Sequence, residues 1–108
     1  MSEYCIIFIT TPSLREAKNI SSALLKARLV ACANMIKGVE SLFWWQVKID
    51  KSKEVLLILK TRRRLFSAVS KLVKDEHSYQ TPEIISFPLE NIASDYRRWL
   101  DASIRKSA

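Results

Sequence analysis

Two segments of this chain are apolar in both phases of a two-residue alternation. They are Tyr4-Cys5-Ile6-Ile7-Phe8-Ile9-Thr10 and Glu54-Val55-Leu56-Leu57-Ile58-Leu59-Lys60. Successive side chains of a strand point to opposite faces, so such a run must be covered on both sides. Both runs are too short to cross a bilayer, which needs about 20 apolar residues in a helix. They predict the two central strands of a sheet, and the rest of the chain has to supply the cover.

Between and after these runs the punctuation is clear. Thr11 and Pro12 stop the first strand, and Ser13 with Glu16 has the spacing of a capping box. A helix is predicted over about Leu14 to Leu29, with Leu14, Ala17, Ser21, Leu24 and Arg28 on one stripe and Ile20 and Ala27 beside it. A long extended segment, Cys32 to about Val47, contains Gly38, which reads as a bulge because glycine relaxes the φ limits there. The polar stretch Lys48 to Lys53 reads as the hairpin turn into the second apolar run. Thr61 then reads as the cap of a second helix over about Arg62 to Glu76, with Leu65, Phe66, Val69, Leu72 and Val73 inward. A short strand, Glu83 to Phe87, ends at Pro88, a residue suited to a sheet edge. The last helix is predicted from about Ser94 to Ile104, with Tyr96, Trp99, Leu100 and Ile104 as its apolar side.

The order β-α-β-β-α-β plus a terminal helix is the α+β, ferredoxin-like split β-α-β arrangement. Right-handed crossovers put the two main helices on one face. The opposite face keeps apolar residues that need cover from the terminal helix, from other copies of the chain, or both, which predicts a homo-oligomer. No linker or repeat interrupts the sequence, and one domain is expected over residues 1–108.

Composition removes several classes of function. A single glycine cannot build a Walker loop, a dinucleotide turn or a nucleophile elbow. One histidine, His77, and two cysteines, Cys5 and Cys32, cannot make a Cys/His zinc site, and no nucleophile–base pair can be assembled, so no enzyme is expected. Both cysteines sit in apolar contexts and read as buried, reduced thiols. Without a signal-peptide pattern or an apolar span, a cytoplasmic protein off the membrane is expected. The net charge of +7 suits an anionic partner. Its basic residues are spread among acidic ones with no helix-turn-helix, RNA-recognition or zinc-finger pattern, so nucleic acid is not expected.

Lys60-Thr61-Arg62-Arg63-Arg64 stands out from that spread. With Thr61 as cap, Arg62, Arg63 and Arg64 occupy a helix's first turn, where cations oppose the macrodipole. They either fan into solvent or pair with acidic residues of a neighbouring subunit, or they hold a phosphate or carboxylate ligand. Trp44 and Trp45 point to opposite faces of a strand. One is expected in the core and the other at a subunit contact.

Thr11-Pro12, Arg28-Leu29-Val30-Ala31-Cys32-Ala33-Asn34, Gly38 with Ser41, Trp45, Lys60-Thr61, His77-Ser78-Tyr79-Gln80-Thr81-Pro82-Glu83-Ile84, and Tyr96 with Trp99 follow the order and spacing of CutA proteins. The chain resembles that family from about Tyr4 to Ser103. The resemblance implies a compact homotrimer, similar in architecture to PII signalling proteins, with a role in divalent-cation tolerance and copper binding. Family members implicated in copper binding have a cysteine where this chain has Ile9 and a histidine where it has Glu76, while Glu83 is retained. The implied metal residues are therefore Glu83, Glu76 and the adjoining His77, for copper or another divalent cation. For His77 the competing reading is a structural one at the end of the second helix. Ser78 and Val47 replace a proline and a glycine usual in the family. A PII-like sensor binding a small anionic ligand between subunits is the alternative function.

Overall fold

The computed structural model describes residues 3–106; residues 1, 2, 107 and 108, the ends of the expected 1–108 domain, lie outside the described residues. The elements are β1 (Tyr4–Thr11), α1 (Leu14–Lys26), β2 (Cys32–Trp45), β3 (Lys48–Arg62), a 3₁₀ turn (Arg63–Leu65), α2 (Phe66–Glu76), β4 (Ile85–Pro88) and α3 (Ser94–Ser103). They form an antiparallel sheet in the order β2-β3-β1-β4, a ferredoxin-like α+β architecture. The two doubly apolar runs are its centre.

Their register sorts the side chains. Cys5 pairs with Thr61, Ile7 with Leu59, Ile9 with Leu57 and Thr11 with Val55. All of these are buried with Ala17, Ile20 and Leu24 of α1 and Val69 and Val73 of α2. Each such aliphatic side chain contributes about 1.5–3 kcal/mol of burial. The alternate positions Ile6, Phe8, Leu56 and Ile58 are only half-buried, and Ile36, Ile85 and Phe87 are exposed. That face is apolar and incompletely covered, as the alternation implied.

Four local expectations are corrected. The first helix stops at Lys26 instead of reaching Leu29. Arg28 adopts a left-handed φ of 59°, while Leu29 N–H donates to Leu24 O and Arg28 N–H to Leu25 O, both at 3.0 Å. This is a Schellman ending with arginine in the place usually held by glycine, so the usual stop signal is missing from the sequence. The hairpin turn is Gln46-Val47 and not Lys48–Lys53: Trp45 pairs directly with Lys48, and both turn residues have positive φ, 48° and 67°. Two-residue turns of this kind normally carry Asn-Gly or Asp-Gly. Thr61 does not cap α2. It lies within β3, and its hydroxyl donates to Leu29 O at 2.6 Å inside the core. The last strand begins at Ile85, two residues after the expected Glu83.

Gly38 has a φ of 79° and lies in the register shift between Ile36 and Val39, the bulge its presence predicted. Ser13 Oγ accepts from Glu16 N–H at 3.1 Å, half of the expected capping box. No helix among the described residues is long and apolar enough to cross a membrane.

Candidate functional site

His77 follows the last residue of α2; its backbone turns extended (φ −83°, ψ 141°) and starts the segment leading to β4. The His77 side chain is fully buried. Its Nε2 lies 2.8 Å from Thr10 O and its Nδ1 3.0 Å from Tyr79 N. A carbonyl only accepts and a backbone N–H only donates, so the ring carries its proton on Nε2 and offers its lone pair to Tyr79. Glu16 Oε2 is 3.3 Å from the same Nδ1 and accepts from Ser78 N–H at 3.2 Å. The second half of the capping box is thus spent on tying α1 to the exit of α2. Both ring nitrogens of His77 are engaged in holding this segment against β1.

The segment so held presents Tyr79. Its hydroxyl donates to Glu54 Oε2 at 2.8 Å. Glu54 heads the apolar run of β3 and is only 7% exposed. Burial, and then the bond to Glu54, pushes the Tyr79 phenol above its usual pKa. Glu83 stands on the same cleft. Partial withdrawal from water, and then the charge of Glu54, raises its carboxyl above the ordinary range. The open cleft has a volume of about 990 Å³. Glu40, Asp50, Glu54 and Glu83 line it against the single ammonium of Lys51, with Trp44 and Trp45 at one end.

The other sequence candidates are dispersed. Glu76 borders a separate depression with Ser13, Arg15, Glu16 and Asn19, so Glu76, His77 and Glu83 do not converge. Among the described residues no group of three or more His, Cys, Asp or Glu side chains is arranged to hold a metal ion. Trp44 and Trp45 are 72% and 40% exposed, so neither joins the core of its own chain as one was expected to. Arg62, Arg63 and Arg64 do not form one helical turn: Arg62 ends β3, and the other two open the 3₁₀ turn. Arg62 Nε meets Asp101 Oδ1 at 2.9 Å, and its Nη2 donates to Tyr4 Oη at 2.9 Å.

Glu54 and Tyr79 escaped the sequence reading. Glu54 reads in the sequence as the first residue of a strand, although a carboxylate at the head of a run that must be buried is itself a signal. Tyr79 stood within the quoted motif without an assigned task.

A ferredoxin-like α+β chain with an incompletely covered apolar sheet face and a carboxylate-lined cleft beside its long hairpin is the class that these observations define. The chain belongs to the CutA1 divalent ion tolerance protein family, whose model matches residues 5–103. It is 41% identical to the divalent-cation tolerance protein CutA of Archaeoglobus fulgidus, over 91% of this chain and 95% of that one. It is 35% identical to the chloroplastic protein CutA 1 of Oryza sativa over 94% of this chain, which spans only 58% of that relative's length. The crystal structure of CutA1 from Oryza sativa superposes with a TM-score of 0.94 at 34% identity, covering 98% of this chain and 97% of that one. A structure described as the periplasmic divalent cation tolerance protein CutA from Archaeoglobus fulgidus gives 0.91 at 39% identity, covering 94% and 99%.

Proposed function

We propose that this chain works as a homotrimer in the response to divalent metal ions, binding a cation weakly at the cleft shared by Glu54 and Glu83. The observation that carries the reading is the placement of these two carboxylates on one cleft in a chain whose net charge is +7. A cation between them offsets their mutual repulsion. The oxygen donors of Glu54, Glu83 and Tyr79 suit magnesium, manganese or calcium better than copper, which favours thiolate and imidazole. His77 supports this reading by holding Tyr79 in place, and Glu76 contributes negative charge at a distance.

Self-association is supported by the apolar surface. Leu42, Trp44, Val47 and Ile49 on the hairpin and Trp99 on α3 are 46–95% exposed. Chains of ordinary solubility bury such a patch against a partner. The hairpin is long enough to reach another subunit and carries Trp44 and Trp45 at its end. We read the protein as a binding protein without catalysis, and as cytoplasmic, where its free thiols Cys5 and Cys32 stay reduced.

Titration calorimetry with MnCl₂ and CuCl₂ tests the cation site. Saturable manganese binding lost in both Glu83→Ala and Glu54→Gln supports it, and binding unchanged in both variants refutes it. Sedimentation equilibrium tests the trimer separately.

A further inference from the structure

The opposite end of the sheet poses a different question. Arg62 lies eight positions beyond Glu54 on β3, about 26 Å along the strand. There the exits of α1 and α3 meet the start of α2. Arg28 Nη1 donates to Ser103 O at 3.1 Å, and Arg64 Nη2 donates to Arg105 O at 2.8 Å. Arg105 N–H returns a bond to Arg28 O at 2.8 Å. The two accepting carbonyls are two residues apart, no more than about 7 Å along the chain, so both guanidinium groups are held against one short stretch of chain.

Three features separate this cluster from ordinary surface charge. Arg28, Arg64 and Arg105 are exposed, and none of them has a carboxylate within 4.0 Å among the described residues. Arg62, beside them, is the arginine that meets acids, Asp101 at 2.9 Å and Glu3 at 3.8 Å. Arg64 lies in the middle of a turn with no side-chain cap and no acidic residue, where its charge opposes the dipole of the following helix. Arg28 occupies a left-handed position that glycine would fill at lower cost. Each guanidinium has five N–H donors, and the bond to a carbonyl uses one.

We propose that Arg28, Arg64 and Arg105 form a binding site for a multiply charged phosphate anion of the di- or triphosphate kind. Backbone carbonyls fix two of the guanidinium groups in advance, which lowers the ordering cost of binding. Charge spread over three arginines suits a chain of phosphates better than a single one. The site shares no residue with the Glu54–Glu83 cleft, and neither reading depends on the other.

Calorimetric titration of the full chain with orthophosphate, pyrophosphate, tripolyphosphate and ATP tests the proposal. Tripolyphosphate should bind more tightly than orthophosphate, weaken with added salt, and lose about tenfold in affinity in Arg64→Gln and in Arg105→Gln. Arg105→Gln leaves the backbone bonds of the cluster intact, and Arg64→Lys keeps the charge, so folding and binding effects separate. Arg98→Gln, an exposed arginine of α3, should change affinity by less than about twofold. ATP binding as tight as tripolyphosphate points to a nucleotide source and weaker ATP binding to an inorganic one; both uphold the site. No saturable heat with tripolyphosphate, an equal loss in Arg98→Gln, or tighter binding of a single-stranded RNA oligonucleotide would overturn it.

Discussion

Arg62 at the end of β3 and Asp101 on α3 are joined by an Nε–Oδ1 contact of 2.9 Å, and Tyr4 closes the triangle. Tyr4 Oη donates to Asp101 Oδ2 at 2.8 Å and accepts from Arg62 Nη2. The guanidinium carbon also lies 4.7 Å from the centre of the Tyr4 ring. Sheet and terminal helix are therefore locked by charge as well as by Leu100 of α3 and Ile104 just beyond its end, both of which are buried.

The bond to Arg62 holds the Asp101 carboxyl below its ordinary pKa. The folded state thus binds that proton less readily than the unfolded chain. The stabilisation is fully present above the unfolded carboxylate pKa of about 3.9 and is lost as pH falls through the lower folded value. Asp101→Asn should cost about 1 kcal/mol at neutral pH, a figure discounted for solvent screening because the carboxylate is over one-third exposed. Urea unfolding at pH 7 and again well below pH 3 checks this. The gap between variant and parent should close in acid, and a gap that persists there would mean that packing and not charge is lost.

Glu83 carries the opposite sign. Its folded carboxyl titrates above the usual range, through partial burial and then Glu54, so it favours the fold while protonated and loses that contribution as pH rises through the folded value. At neutral pH the ionised group is a local burden. Glu83→Gln should raise stability in cation-free buffer, by roughly 0.5 kcal/mol for an exposed group. It should also remove any stabilisation that added MnCl₂ confers on the parent. Thermal melts with and without MnCl₂ read both effects, and a variant that melts below the parent in chelator contradicts the account.

The sheet was legible because its physical demand is strong: two runs apolar in both phases have only a central position to occupy. The bulge at Gly38 and the cap at Ser13 were legible for similar reasons. What failed were chain reversals built from residues that usually avoid them. Arg28 ends a helix where glycine is expected, and Gln46-Val47 turns a hairpin without asparagine or glycine. Such positions are invisible to rules based on local preference; at Arg28 a tertiary bond holds the reversal, from Arg105 N–H to Arg28 O. The candidate site was half legible. Glu83 and His77 stand in the motif, whereas the pairing of Glu54 with Tyr79 exists only once the 77–84 segment folds beside β3. The arginine run was noticed, but its division between an ion pair at Arg62 and backbone carbonyls at Arg64 depends on α3, far away in sequence.

The turn at Val47 offers a test of assembly. A β-branched residue at a φ of 67° is strained, and its side chain is 95% exposed in the single chain. In an isolated subunit Val47→Gly should stabilise by about 1 kcal/mol. If Val47 packs against another copy, the same substitution instead weakens association, and the melting temperature becomes more dependent on protein concentration. Melts over a range of concentrations distinguish the two outcomes. With the apolar hairpin around it, the second is the expected result.

His77 gives the sharpest separation of holding from ligating. Its side chain is fully buried and its two nitrogens meet Thr10 O and Tyr79 N–H. His77→Ala strips both partners and leaves a cavity, which should cost about 2–4 kcal/mol in urea unfolding. A ring whose only lone pair is already given to Tyr79 is not available to a metal unless that segment opens. Copper added to the intact protein should therefore give an electron paramagnetic resonance spectrum without nitrogen splittings from His77. Nitrogen splittings that disappear in His77→Gln would place the imidazole on the metal and require the 77–84 segment to rearrange. Their absence, together with a large loss of stability in His77→Ala, makes His77 the residue that positions Tyr79 and leaves the cation to the carboxylates.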